Sequence, residues 1–140
     1  MKINLIFNLY FETLSTSTSL YPYMDYQSLY EQAMKISPAI RYATITDMNG
    51  KIKQSGHRKG VKNLLTAKES LRSLKLSANM WKARNELSSK IGKGKYALAE
   101  YGNLKRLVIP LDDAHLLYLT TGARADLTKI ISKATRLRLK

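Results

Sequence analysis

The chain contains no cysteine, which excludes a disulfide framework, a thiolate metal site and a cysteine nucleophile. Histidine is nearly as scarce. His57 and His115 are the only two, far apart and without the close pairing that a His-based metal motif needs. Three prolines and seven glycines in 140 residues are too few for a collagenous or low-complexity protein. No apolar run approaches the roughly 20 residues of a membrane-spanning helix, so no membrane insertion is expected. Acidic residues are also few: ten Asp/Glu stand against 24 Lys/Arg, a formal net charge of +14. Such a chain repels its own copies and attracts polyanions, whether nucleic acid, anionic lipid or an acidic protein. What is plentiful is hydrophobic residues, at 44%, enough to bury a core and to exclude wholesale disorder.

The apolar stretch Ile3 to Phe11 follows Lys2 and precedes a run of Ser and Thr, loosely imitating a secretory signal. Glu12 directly behind it, and the lack of an A-x-A-like cleavage site, argue against export. The expected location is the cytoplasm. Met24 opens MDYQSLYEQAMKI, which reads as the start of a domain. Residues 1–23 are then an N-terminal extension, disordered, docked on the domain or upstream of the true start. Residues 24–140 form one domain.

Asp25 reads as an N-cap, with Leu29, Ala33, Met34 and Ile36 near helical spacing behind it. Ser37-Pro38 ends that helix, because the residue before proline is pushed out of the helical region. Ile40–Thr46 and Lys51–Ser55 are strand-like and flank Asp47-Met48-Asn49-Gly50, an Asn-Gly hairpin signal that predicts a type I′ turn. A basic loop, residues 56–63, leads to a stretch from Leu64 to about Ile91 without Gly or Pro, one long helix or two in tandem. Leu64, Ala67, Leu71, Leu74, Ala78 and Trp81 make one apolar stripe along it, while Leu76, Met80, Leu87 and Ile91 fall on a second. Two stripes give the helix two surfaces to cover: its own sheet and a partner. Gly92-Lys93-Gly94-Lys95 stops it. Strands at Tyr96–Tyr101, Leu104–Leu111 and His115–Thr121 follow, then a last amphipathic helix carrying Leu127, Ile130, Ile131, Ala134 and Leu137. The order is α-β-β-α-β-β-β-α, an α/β (α+β) domain with a central five-stranded antiparallel sheet.

Chemistry-bearing motifs are sparse. Asp112, Asp113 and His115 form the one tight acid–histidine cluster, but they fall where a hairpin turn is expected, and turn chemistry explains them better than a metal. Lys90–Lys95 (KIGKGK) has a phosphate-loop look, yet it follows a helix. A helix C-terminus presents carbonyls, the wrong polarity for phosphate. No G-x-S-x-G elbow, S-x-x-K set or spaced carboxylate pair occurs. The chain is therefore not expected to be an enzyme, and no catalytic residue, cofactor or metal is assigned. The strongest positive signal is charge. His57, Arg58, Lys59 and Lys62 in the loop continue into Lys68, Arg72, Lys75 and Lys82 on the helix, a stripe suited to tracking phosphates without sequence preference. A solvated helix face explains the same residues equally well. Trp81 belongs to the apolar stripe and reads as core. Tyr10, Tyr21, Tyr23, Tyr26 and Tyr30 cluster toward the N-terminal end, where packing accounts for them as readily as stacking on bases.

The element order resembles the roadblock/longin/profilin-like group. Residues 29–55, LYEQAMKISPAIRYATITDMNGKIKQS, resemble the opening of roadblock (dynein light-chain type) domains, in which a proline-ended helix precedes a strand, a D-x-x-G hairpin and a second strand. Residues 94–137 resemble the three-strand meander and closing helix of the second half, and the overall look is similar to roadblock-like proteins of ammonia-oxidising archaea. The resemblance implies a non-catalytic regulator or scaffold that acts through homodimerisation, with a small GTPase or a complex subunit as partner. It places the long helices and third strands of two copies together, with Leu76, Met80, Leu87, Ile91, Tyr96 and Leu98 at the dimer interface. One feature departs from the family: residues 51–109 carry 15 Lys/Arg against Glu69, Glu86 and Glu100 alone. This is more basic than a GTPase-binding surface of that kind, and it motivates the alternative of a nucleic-acid-associated protein.

Overall fold

The structure, a computed structural model, describes residues 25–138. The expectations for residues 1–23 lie outside them. Helix α1 (Tyr26–Lys35) begins where Asp25 accepts a hydrogen bond from the Ser28 N–H at 2.9 Å, and it buries Leu29 and Ala33. It stops before Ser37-Pro38, as the proline requires. Strands β1 (Ile40–Asp47) and β2 (Ile52–His57) form the expected hairpin.

The turn differs from the one expected. Gly50 alone has positive φ, at 80°, and Asn49 does not, so the turn is not type I′. The Gly50 N–H bonds Asp47 O at 3.2 Å, and Asp47 N bonds Lys51 O at 2.9 Å, enclosing the three-residue loop of a type I turn followed by a left-handed glycine. The Asp47 carboxylate selects it by accepting from the N–H groups of Asn49 and Lys51 at 2.8 and 2.9 Å. Gly50 is irreplaceable here for a second reason: a Cβ would lie 2.8 Å from Lys75 Cα, where the long helix crosses the turn.

That helix, α2, spans Ala67–Asn85, starting later than Leu64 because Thr66 and Glu69 close a capping box. The Glu69 N–H donates to Thr66 Oγ1, and Thr66 N–H to Glu69 Oε1. It runs unbroken through Ser70–Ser77, gives way at Glu86–Leu87, and resumes as the one-turn α3 (Ser88–Ile91), which Gly92 ends at φ 90°. Strands β3 (Ala97–Glu100), β4 (Leu104–Pro110) and β5 (His115–Gly122) follow, then α4 (Thr128–Ala134). The sheet is antiparallel throughout, in the order β2-β1-β5-β4-β3.

Alternation along the strands divides the core into two layers. Ala43, Ile45, Leu107, Ile109, Leu117 and Leu119 face α1 and α4. Val108, Leu116 and Tyr118 face α2, which meets them with Leu74, Ala78 and Trp81. The first apolar stripe is therefore shorter than its spacing implies: Leu71 is 52% exposed and Leu64 60%, since they lie beyond the helix's line of contact with the sheet.

Candidate functional site

The acid–histidine cluster closes the β4–β5 turn. Asp112 accepts from the Ala114 N–H at 2.7 Å and from His115 Nδ1 at 2.9 Å, while Asp113 points outward to Lys93 at 3.7 Å. With Asp112 holding the proton on Nδ1, His115 Nε2 accepts from the Tyr26 hydroxyl at 3.0 Å. The chain Tyr26–His115–Asp112 ties α1 to the far end of the sheet. Burial and the negative charges of Asp112 and Asp47 push the Tyr26 phenol up from its ordinary value, the opposite of what a phenolate base or nucleophile requires. Among the described residues, no group of three His, Cys, Asp or Glu is placed to hold a metal.

The basic stripe is split. Arg58 is engaged within the fold: its guanidinium donates to Ile40 O, Met34 O and Ser37 O at 2.9–3.0 Å, tying together the end of α1, the link after it and the start of β1. A cation so engaged acts as a brace within the fold. The His57 ring lies 5.6 Å from that of Tyr42, tilted by 47°, and its Nδ1 lies 3.0 Å from Arg58 O. Lys59 and Lys62 belong to the connecting loop, and both are exposed. At 100° per residue, Lys68, Arg72, Lys75 and Lys82 share one flank of α2, the flank above the β1–β2 turn, where Lys82 Nζ reaches Asn49 Oδ1 at 3.4 Å. None of the four meets a carboxylate among the described residues.

The second apolar strip lies on the other flank. Leu76 and Met80 share this flank with Ser73, which accepts from Arg106 of β4, so the flank leans toward β4 and the edge strand β3; Leu87 follows just past the end of α2. Met80 is 47% exposed, and Ile91 in α3 is 78% exposed. Leu98 is brought to the same edge but not to the same face. It pairs with Leu107, whose side chain belongs to the α1/α4 layer, so Leu98 projects away from α2. Tyr96 is exposed just before β3. The six residues grouped for the interface thus flank the open β3 edge from both sides of the sheet.

Sequence reasoning missed two residues. The Tyr42 hydroxyl and Arg106 Nε are buried without a hydrogen-bond partner among the described residues, and both side chains line a cavity of about 270 Å³ on the α2 face of the sheet. Alternation gave the signal for Arg106, a charged residue sharing the inward parity of Val108 in β4.

No family model and no curated protein matches the sequence. The fold does have counterparts among solved structures. The chain is similar to a Roadblock/LC7 domain from Streptomyces avermitilis, at TM-score 0.60 and 13% identity over 78% of this chain and 88% of that one. It is similar to an MglB of tetrameric arrangement, at TM-score 0.65 and 18% identity over 79% of each chain. The gliding protein mglB from Thermus thermophilus gives TM-score 0.62 and 17% identity over 84% of this chain and 91% of that one. The fold is that of a roadblock-like domain.

Proposed function

We propose that this protein is a non-catalytic regulatory or scaffolding module that works as a homodimer, with a small GTPase or a complex subunit as its partner. The observation that carries the reading is the exposed strip Leu76, Met80, Leu87 and Ile91 beside the unpaired edge of β3. A four-residue edge strand of sequence ALAE, with Glu100 as its one charge, is an open template for another strand. A second copy pairing along β3 covers the helix strip on one side and Leu98 on the other. The resemblance to roadblock domains and the likeness of fold support the same arrangement, and a GTPase partner rests on that resemblance. The cations on the opposite flank of α2 stay outside such an interface, and they fit a partner that presents acidic residues.

Met80→Asp tests the dimer. Light scattering coupled to size exclusion is expected to give the dimer mass for the native chain and the monomer mass for the variant, with unchanged circular dichroism. A folded variant that keeps the dimer mass removes this interface. Titration against duplex DNA at about 50 and about 150 mM salt separates the partner classes. The proposal expects weak association, whereas tight binding that falls steeply with salt replaces it with the nucleic-acid reading.

A further inference from the structure

The sheet has two open edges, and they differ in charge. β3, beside the apolar strip, carries Glu100 as its one charge. β2 pairs with β1 alone among the described residues, and cations surround it. Lys51 and Lys53 stand at its start, Lys62 in the loop beyond its end, and Lys68, Arg72 and Lys75 on the flank of α2 that faces it. Contacts fix that orientation: Lys75 crosses Gly50 of the β1–β2 turn, and Ser70 and Leu74 line the same cavity as Ile52 and Ser55 of β2. None of these six cations forms an ion pair among the described residues. The carboxylates on this side of the molecule are engaged in other ways. Asp47 accepts from the N–H groups of its own turn, and Glu31 accepts from Gln27 on the α1 face.

Apolar residues lie among the cations. Ile52 is 38% exposed, Leu64 60% and Leu71 52%. Ile52 and Leu64 line the cavity together with Leu65, and at 100° per residue Leu71 falls between the buried stripe of α2 and its cations. The register explains Ile52. Ile45 pairs with Gln54 and Thr46 with Ile52, so Lys53 is an extra residue in β2. The bulge sets Ile52 on the α2 face, while residues 54–57 keep a regular register. A bulge and lysines guard an edge strand against its own kind. Like charges opposed across a pair repel, so this edge rejects a second copy of β2 and attracts a strand of opposite charge.

We propose that β2 takes up an extended acidic segment of a partner protein as a sixth strand. The unpaired main-chain groups of the edge supply the ladder, and side chains at alternate positions supply the selectivity. On the α2 side, carboxylates of the added strand meet Lys68, Arg72 and Lys75, and one large apolar side chain between them covers Ile52 and Leu64. Lys51 and Lys53 meet the end of the segment that lies over the turn. Nucleic acid offers the charge, but it has neither a strand's amide ladder nor a side chain for Ile52 and Leu64, so the edge favours a peptide. The surface lies across the sheet from β3 and does not depend on the dimer.

The probe is the capped peptide DTETFTETD, whose acids and phenylalanine share one face of a strand, titrated into the full chain and followed by amide chemical shifts. DTEPFPETD keeps the charge and the ring but cannot form the ladder, and KTKTFTKTK reverses the charge. The expected result is saturable binding of the first peptide alone, with shifts centred on residues 52–57 and 62–65, and weaker at about 150 mM salt than at about 50 mM. Lys53→Glu combined with Lys75→Glu is expected to weaken it about tenfold, and Leu64→Ser about threefold. The peptide controls keep the test decisive whatever these substitutions do to folding. Met80→Asp is expected to leave the binding unchanged, so this proposal and the dimer fail separately. No saturable shift overturns the proposal, as does equal binding of the proline peptide or binding that is lost with the dimer. Duplex DNA that shifts the same residues at lower concentration overturns it too. So do cross-peaks in the free chain between β2 amides and residues 1–24, which would make this chain's own N-terminal segment the occupant.

Discussion

The two faces of the sheet are built to different standards. The face under α1 and α4 is dry. Ile45, Leu107, Ile109, Leu117 and Leu119 are all at most 1% exposed, and Leu29, Leu127 and Ile130 from the two helices and their flanks close over them. The face under α2 carries Tyr42, Thr44, Thr46, Arg106 and Thr120 among its apolar residues, and leaves a cavity. The helix itself is part of the reason. It presents Ser70, Ser73 and Ser77 to the sheet between Leu74, Ala78 and Trp81, and serine side chains are too short to fill the space above a threonine-rich strand. One face holds the fold together, while the other has room for polar groups that the fold does not use.

Leucine truncation on each face is the strongest way to break this comparison. Leu117 is fully buried in the dry layer, so Leu117→Ala should cost about 4 kcal/mol, toward the upper end for this substitution. Leu74 is also buried, but it borders the cavity and lacks neighbours on that side. Leu74→Ala should cost about 2–3 kcal/mol, because fewer contacts are lost. Urea unfolding of both variants measures the difference. Equal costs would mean that the α2 face is as tightly packed as the other.

How much of this was legible in the sequence depends on whether the cause was local. Pro38 stopping α1, Asp25 capping it, the strand pair around Asp47–Gly50 and the burial of Trp81 all follow from neighbours in the chain or from periodicity. The start of α2 was equally local, since Thr66 and Glu69 stand at capping-box spacing, although the apolar stripe drew the boundary back to Leu64. The turn type was less accessible, because the Asp47 carboxylate, rather than the Asn-Gly pair, decides it. Arg58 shows where local reading fails: its three acceptors come from α1, the link after it and β1, and nothing in a basic loop marks one cation as a brace. The split of Leu98 from the α2 strip needed the β3–β4 register. The cavity needed the sheet and α2 in place, and the inward parity of Arg106 in β4 was its one unread signal.

Asp47 sharpens the comparison at the one point where α2 rests on a turn rather than on the sheet. Burial alone would raise its pKa, but the N–H groups of Lys51 and Asn49 and the charges of Lys53 and Lys51 outweigh that and hold it below the usual carboxylate value. A folded-state pKa below the unfolded one adds stability that is fully present above the unfolded pKa and is lost as pH falls through the folded one. Asp47→Asn should therefore cost about 1–2 kcal/mol near neutrality, where the charged acceptor of two hydrogen bonds is removed. The gap between native and variant should narrow as the pH drops below about 4. Denaturant midpoints measured at neutral and acidic pH check the sign. A gap that stays constant would mean that the aspartate charge contributes nothing to the turn beneath α2.

The smallest expected effect is the most diagnostic of the polar face. Removing a buried hydroxyl normally costs about 1 kcal/mol because its hydrogen bond goes with it. The Tyr42 hydroxyl has no such bond among the described residues, so Tyr42→Phe discards a desolvated group and keeps the ring against His57. Its stability should be unchanged or raised by up to about 1 kcal/mol. Thr44 is the paired control: its Oγ1 lies 2.8 Å from Ser55 Oγ on the same face. Thr44→Val leaves the serine without its partner and should cost about 1 kcal/mol. If Tyr42→Phe destabilises the chain as much as Thr44→Val does, the tyrosine hydroxyl is already satisfied, and the polar face is spent on structure like the dry one.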